Sequence, residues 1–146
     1  MDTTTPTTTT TDPYYELTLR LKEALGCDRC TFFLHDRFKR EVSSKAAIGL
    51  EIAEIRLATH RGVVGFVART GRTLNLRDVY NDPRFDRSVD KETGYRTKTL
   101  LTMAIRNAKD RVVVVLQALN KLDGTFTADD EATMARYCAE ALGLIE

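Results

Sequence analysis

A chain of 146 residues, 42% hydrophobic and 29% charged, is long enough for one domain with its own core and too apolar for a disordered protein. Its 22 basic and 21 acidic residues leave a formal charge of +1, without the positive excess that nucleic acid or an anionic membrane surface would need. No apolar run nears the roughly 20 residues of a membrane span, no signal-peptide core opens the chain, and three cysteines are an odd count for a disulfide framework, so a cytoplasmic protein with small-molecule or protein partners is expected.

The opening run MDTTTPTTTTTD has almost nothing to bury, so residues 1–13 are expected to form a disordered leader and 14–146 the folded domain. Tyr14, Leu17, Leu21, Ala24 and Leu25 recur at helical spacing, and Gly26 stands where a helix commonly stops. CTFFLHD (30–36) is rich in aromatic and branched residues and runs into the charged DRFKRE, a strand and then a turn; further strands are expected at 42–48 and 52–59. Gly62 and Gly71 bracket VVGFVART, where Val63, Val64, Phe66 and Val67 give a short helix one apolar side. TLNL, the turn-rich DVYNDPRFD and the polar RSVDKETGYRTK follow. Residues 72–98 thus make a segment long enough to suggest function, and a bound ligand would be covered by it. TLLTMAI and RVVVVLQAL predict an antiparallel hairpin in the sheet centre, and Met134, Tyr137, Cys138, Ala141, Leu142 and Ile145 line one side of a last helix. The order predicts an α+β domain on an antiparallel sheet, with the terminal helices together on one face.

The junction NKLDGTFTADDE (120–131) crowds polar groups between an apolar strand and that last helix. Thr127 can cap the helix, Asp130 sits three positions on as the reciprocal acceptor, and the acids Asp129, Asp130 and Glu131 suit the positive helix end. Lys121, at the mouth of a buried strand, wants a carboxylate partner, and Asp130 is the natural one.

Four stretches together, GVVGFVARTGRTLNLRDVYNDPRFD (62–86), VDKETGYRTKTLL (89–101), VLQALNK (115–121) and the Phe126, Asp130, Glu131 set, resemble a GAF domain from about Tyr14 to the C-terminus. The resemblance implies a central antiparallel sheet of about six strands, with a short helix and loops covering a ligand pocket on the face away from the terminal helices. The Asn120-Lys121, Phe126, Asp130-Glu131 pattern resembles the signature of the cyclic-nucleotide-binding subset, in which Lys and Asp form a salt bridge beside the pocket. Carried over by motif, Thr31 would meet the purine, the amides of Val63 and Val64 would face the cyclic phosphate, the hydroxyls of Thr93 and Thr97 would close over phosphate and ribose, and Gln117 would line the floor.

One departure bears on the ligand. Where cGMP-selective relatives carry an aromatic residue and an Asp, this chain has KAAIG, and neither Ala47 nor Ile48 can accept from guanine. Guanine donors left unpaired would cost roughly 1–3 kcal/mol each, so cAMP is favoured over cGMP. Val114 stands where many relatives have Gly and is expected to narrow the pocket. The resemblance implies a regulatory sensor that is not itself an enzyme, needs no cofactor or metal, and acts on an attached or partner effector. A homodimer through the terminal helices is expected, with Tyr15 and Leu19 on the outer edge of the first helix as its seam. The alternatives are a ligand-free dimerisation module and a free methionine sulfoxide reductase, since one branch of the family reduces that substrate with cysteines near the pocket. CDRC (27–30) is a single Cys pair without the second pair that a zinc site needs, and Cys30 reads as a small buried hydrophobe. Asp78, Asp82 and Asp86 read as solvated loop acids, and DPRF as a structural turn that buries Phe85.

Overall fold

The structure is a computed structural model, and it describes residues 12–49 and 54–145. The expected leader lies outside the described residues except at its end, where the boundary moves: Asp12 accepts from the Tyr14 amide at 2.9 Å and Pro13 opens helix α1 (Pro13–Leu25). Pro suits a first turn because its missing N–H would be unpaired there anyway. Gly26, at φ 63°, closes the helix in the left-handed conformation and returns its N–H to the Lys22 carbonyl.

Strands β1 (Cys27–Asp36), β2 (Glu41–Ile48) and β3 (Arg56–Ala58) follow, then α2 (Gly62–Thr70) and β4 (Leu74–Leu76). Beyond a single 3-10 turn at Val79–Asn81 come α3 (Ser88–Thr93), β5 (Leu100–Arg106), β6 (Val112–Lys121) and α4 (Ala128–Ile145). The six strands form one antiparallel sheet in the order β3-β2-β1-β6-β5-β4, so β1 and β6 are central and the other member of the predicted hairpin, β5, is one place from the edge. The third strand is shorter than its predicted span of 52–59: Glu54 and Ile55 are irregular, Thr59 turns, and residues 52–53 lie outside the described residues.

Alternation along the central strands divides two cores. Cys30 and Phe32 of β1, with Leu116 and Ala118 of β6, pack beneath Leu17 and Leu21 of α1 and Met134 and Cys138 of α4. Phe33, Leu100 and Val115 face the other way, against Val63, Val64 and Val67 of α2. The terminal helices therefore share one face, and α2 with the 72–98 segment covers the opposite one. Val114 falls in the first core, not beside the pocket face, because its pleat position matches that of Leu116.

Candidate ligand-binding site

Between the sheet and α2 lies a cavity of about 140 Å³. Its floor follows from strand alternation: Arg29, Thr31 and Phe33 succeed one another on one face of β1, paired across to Leu119, Gln117 and Val115 of β6. The Gln117 amide is oriented by donation from Nε2 to Thr102 Oγ1 at 3.1 Å. Val63 and Val64 form the wall at the start of α2, whose N-cap residue, Arg61, makes no side-chain cap bond. The helix can approach so closely because Gly65 has no side chain; a Cβ there would stand 2.7 Å from the Thr59 carbonyl oxygen.

The roof is built around Asp90. This buried side chain accepts from the Tyr80 hydroxyl at 2.6 Å, the Thr97 amide at 2.8 Å and the Thr97 hydroxyl at 3.0 Å. Donation to Asp90 raises the Tyr80 pKa, since the proton is held where the carboxyl wants it. Tyr95 forms the second fastening: its hydroxyl donates to Asp28 at 2.6 Å and receives Asn120 Nδ2 at 2.8 Å, and the Arg29 guanidinium lies 3.4 Å from its ring centroid. Burial, and then the Asp28 carboxyl, push the Tyr95 phenol well up, so it stays a donor.

Asn120 ties the end of this roof to the sheet. Its Oδ1 receives the amides of Lys98 and Thr99, and its Nδ2 also reaches the Arg96 carbonyl at 2.9 Å. The remaining members of the junction motif have equally definite partners. Lys121 Nζ lies 3.0 Å from Asp130 and also donates to the Leu25 carbonyl at the end of α1. Thr127 and Asp130 exchange the reciprocal capping bonds, Thr127 N to Oδ2 at 2.8 Å and Asp130 N to Oγ1 at 3.1 Å. Phe126 is buried in the core under the terminal helices, and Glu131 receives Asn75 Nδ2 at 2.9 Å from β4.

Of the residues expected at the ligand, Thr31, Val63, Val64, Thr97 and Gln117 line the cavity. Ala47, Ile48 and Thr93 are not part of its lining. Ala47 pairs with Thr31 and shares its face, but a methyl group is too short to reach the space. Ile48 pairs with Cys30 on the opposite face of the pleat. Thr93 is exposed at the end of α3, where its hydroxyl accepts from the Tyr95 amide at 3.2 Å. Thr97 is in place, but its hydroxyl is engaged by Asp90 rather than turned to open space.

Two of the acids read as solvated are structural. Asp82 receives Arg84 Nη2 at 2.6 Å, which holds its carboxyl below the usual range. Asp86 lines the cavity, accepts from the Ser88 amide, lies 3.7 Å from Arg61, and is likewise depressed, first by that amide. Phe85 is half-buried and lines the cavity as well as turning the chain. Sequence reasoning missed Arg29 and Tyr95. Arg29 was legible as the residue two before Thr31 on the same strand face; Tyr95 stands between the two threonines that drew attention.

A GAF domain family model matches residues 12–145. The chain belongs to the GAF domain family. It is 33% identical over 126 residues to the dual 3',5'-cyclic-AMP and -GMP phosphodiesterase 11A of Takifugu rubripes, covering 77% of this chain and only 14% of that protein's length. Among solved structures, the GAF domain of an Acinetobacter phosphoenolpyruvate-protein phosphotransferase superposes with a TM-score of 0.77 at 21% identity, over 90% of this chain and 78% of that one. Free methionine-R-sulfoxide reductase from Neisseria meningitidis, solved with its substrate, gives 0.72 at 21% identity over 86% and 71% of the two chains. These two likenesses are of fold. GAF domains are small-molecule-binding regulatory sensors that accompany effector domains. Among the described residues, no helix is long and apolar enough to cross a membrane.

Proposed function

We propose that this GAF domain is a noncatalytic sensor that encloses a cyclic nucleotide, cAMP in preference to cGMP, and passes the closing of the 72–98 segment to an effector. The observation that carries this reading is the cavity itself, which gathers Thr31, Thr97 and Gln117 with the start of α2 under a polar roof. The likeness to a phosphodiesterase named for both cyclic nucleotides supports the ligand class. One feature favours adenine: Ala47, paired with Thr31 on the same strand face, offers no acceptor to the guanine donors. At about 140 Å³ the closed space is smaller than the roughly 300 Å³ at which ligand pockets begin, so entry of a nucleotide requires the roof to swing outward first.

Thermal melts with cAMP and cGMP test the reading. At 100 times its dissociation constant a ligand adds about 2.7 kcal/mol, a rise of several degrees in a domain of this size. A rise with cAMP exceeding that with cGMP is the expected result, and no rise with either removes the cyclic-nucleotide assignment.

The cysteines support a binding rather than a reducing role. Cys27, Cys30 and Cys138 all lie in the core under the terminal helices, across the sheet from the cavity. Burial pushes the Cys138 thiol up to about 12, and the contact with Cys27 and burial raise Cys30 well above its ordinary value. That same contact lowers Cys27, so its place in the core across the sheet from the cavity, not its acidity, argues against attack on a pocket ligand. Incubation with free methionine sulfoxide and a dithiol should therefore give no turnover; turnover abolished by Cys27→Ser, Cys30→Ser or Cys138→Ser would establish the reductase instead. The outer edge of α1, where Tyr15 is 47% exposed, is the proposed homodimer seam, and sedimentation of the wild type against Tyr15→Glu tests it.

A further inference from the structure

We infer that Cys27 and Cys30 form a redox-modification site: hydrogen peroxide joins them in a disulfide, and that closure loosens the roof over the cavity. The inference goes beyond the sensor reading and holds whatever ligand the cavity takes.

CDRC (27–30) opens β1, directly after the helix-ending Gly26. Three positions apart on a flat strand, its two cysteines would face opposite sides. Both instead lie in the core under the terminal helices, so the start of β1 turns out of the pleat and brings their sulfurs within 3.6 Å. A disulfide needs a sulfur separation of about 2 Å, so the bond draws the two ends of the segment together. One of the pair is prepared as the nucleophile. The Cys30 thiol first, and then the Lys22 and Lys121 ammoniums, favour a thiolate at Cys27 against the effect of burial and lower its pKa. Cys138, pushed the other way by burial to about 12, stays a thiol.

The Cys27 thiolate attacks one peroxide oxygen; the O–O bond breaks, a sulfenic acid forms and hydroxide leaves. The Cys30 sulfur then attacks the sulfenic sulfur. The S–S bond forms, the S–O bond breaks, and the departing hydroxide takes the Cys30 proton. With the proton that Cys27 gave up at the start, two thiols are oxidised and one peroxide is reduced to two waters. Both cysteines are 1% exposed, so peroxide, little larger than water, enters by local opening at the end of α1.

The residues enclosed by the new ring are Asp28 and Arg29, the two that hold Tyr95. Asp28 accepts from the Tyr95 hydroxyl at 2.6 Å and Arg29 stacks 3.4 Å from its ring centroid, both while the sulfurs stand 3.6 Å apart. Drawing Cys27 and Cys30 together displaces both residues. The segment has no slack on its β2 side, where a Cβ on Gly49 would stand 2.7 Å from the Asp28 carbonyl oxygen. The displacement is therefore taken up at Tyr95, while the bonds from Tyr80 and Thr97 to Asp90, made elsewhere in the chain, stay in place.

The test treats the full chain with hydrogen peroxide, unfolds it, alkylates the remaining thiols and counts them by mass. Before treatment all three cysteines should be alkylated, and afterwards Cys138 alone, with dithiothreitol restoring the other two. Trypsin cuts after Arg29, so the bond shows under non-reducing conditions as peptides 23–29 and 30–37 joined together. Limited digestion of the folded protein reads the coupling to the roof. Cleavage at Arg87, Lys91, Arg96 and Lys98 should be about threefold faster or more in the oxidised protein, and dithiothreitol should return it to the starting rate. Cys27→Ala, treated in the same way, should form no disulfide and digest at its starting rate. Should that variant not fold, the wild type cycled between its oxidised and reduced forms carries the test by itself. Three free thiols after peroxide treatment overturn the assignment, as does a bond to Cys138 or between two copies of the chain. A Cys27–Cys30 disulfide that leaves roof cleavage unchanged overturns it equally.

Discussion

Asp130→Ala lowers the midpoint of thermal unfolding by roughly 10 °C, the effect of about 3 kcal/mol in a domain of this size. The side chain is 11% exposed and joins three elements: Lys121 at the end of β6, the capping residue Thr127 before α4, and, through Lys121, the carbonyl of Leu25 that ends α1. Truncation leaves the Lys121 ammonium, itself 17% exposed, with that carbonyl and no counter-charge, and removes the acceptor for the Thr127 amide. Breaking one side of such a pair costs more than the pair contributes, because a half-buried charge is stranded. Asp130→Asn keeps an acceptor for Thr127 and should lose less. A midpoint within 2 °C or so of wild type for Asp130→Ala would mean that Lys121 finds water and that the junction is not a clamp.

The same residue sets an acid limit. Burial alone would raise the Asp130 pKa; the Thr127 amide and the Lys121 ammonium outweigh it, and the carboxyl titrates below its ordinary value. A carboxyl depressed in the folded state contributes its full stability above the ordinary carboxylate range, near pH 4, and loses it as pH falls through the lower folded value. Between about pH 5 and pH 2 the wild type should therefore lose more stability than Asp130→Asn, and the two melting curves should converge. Parallel curves across that range would assign the acid sensitivity to another group.

How much of this was legible in the sequence depends on which interaction fixes each part. Helix ends were readable because local chemistry decides them: Gly26 and Gly71 both close helices with positive φ, and Thr127 with Asp130 makes the capping pair that their spacing announces. The pairing of Lys121 with Asp130 was readable because both are anchored to regular elements nine residues apart. The roof was not, because its geometry comes from tertiary bonds with no periodicity: Asp90 reaches Tyr80 and Thr97, and Tyr95 crosses to Asp28, 67 positions away in sequence. The placing of Ile48 at the ligand failed for a simpler reason. Register decides which face of a strand a side chain occupies, and it pairs Ile48 with Cys30 under the terminal helices. Asn120 was singled out without an assigned contact; its work is to hold the backbone at 96–99 and the Tyr95 hydroxyl, which makes the junction motif a support for the roof as much as for α4.

Asp90→Ala opens that roof. The substitution deprives the Tyr80 hydroxyl, the Thr97 amide and the Thr97 hydroxyl of one shared acceptor, and Thr97 is 1% exposed, so its donors have no water to turn to while the segment stays closed. Each buried donor left unpaired costs about 1–3 kcal/mol, but the segment can escape by lifting away, so the damage is local rather than global. Loss of some 2 kcal/mol from the closed form corresponds to roughly a thirtyfold change in its equilibrium with the open one. Apparent ligand affinity should fall with the closed population while the melting point drops by only a few degrees. Trypsin reads the change directly, because Arg87, Lys91, Arg96 and Lys98 all lie in or beside the roof. Cleavage there should accelerate in Asp90→Ala and more mildly in Thr97→Val, which removes one of the three bonds and leaves the amide in place. If both variants resist trypsin as the wild type does, the segment is held by the Tyr95 fastening alone, and Asp28→Ala becomes the substitution that must release it.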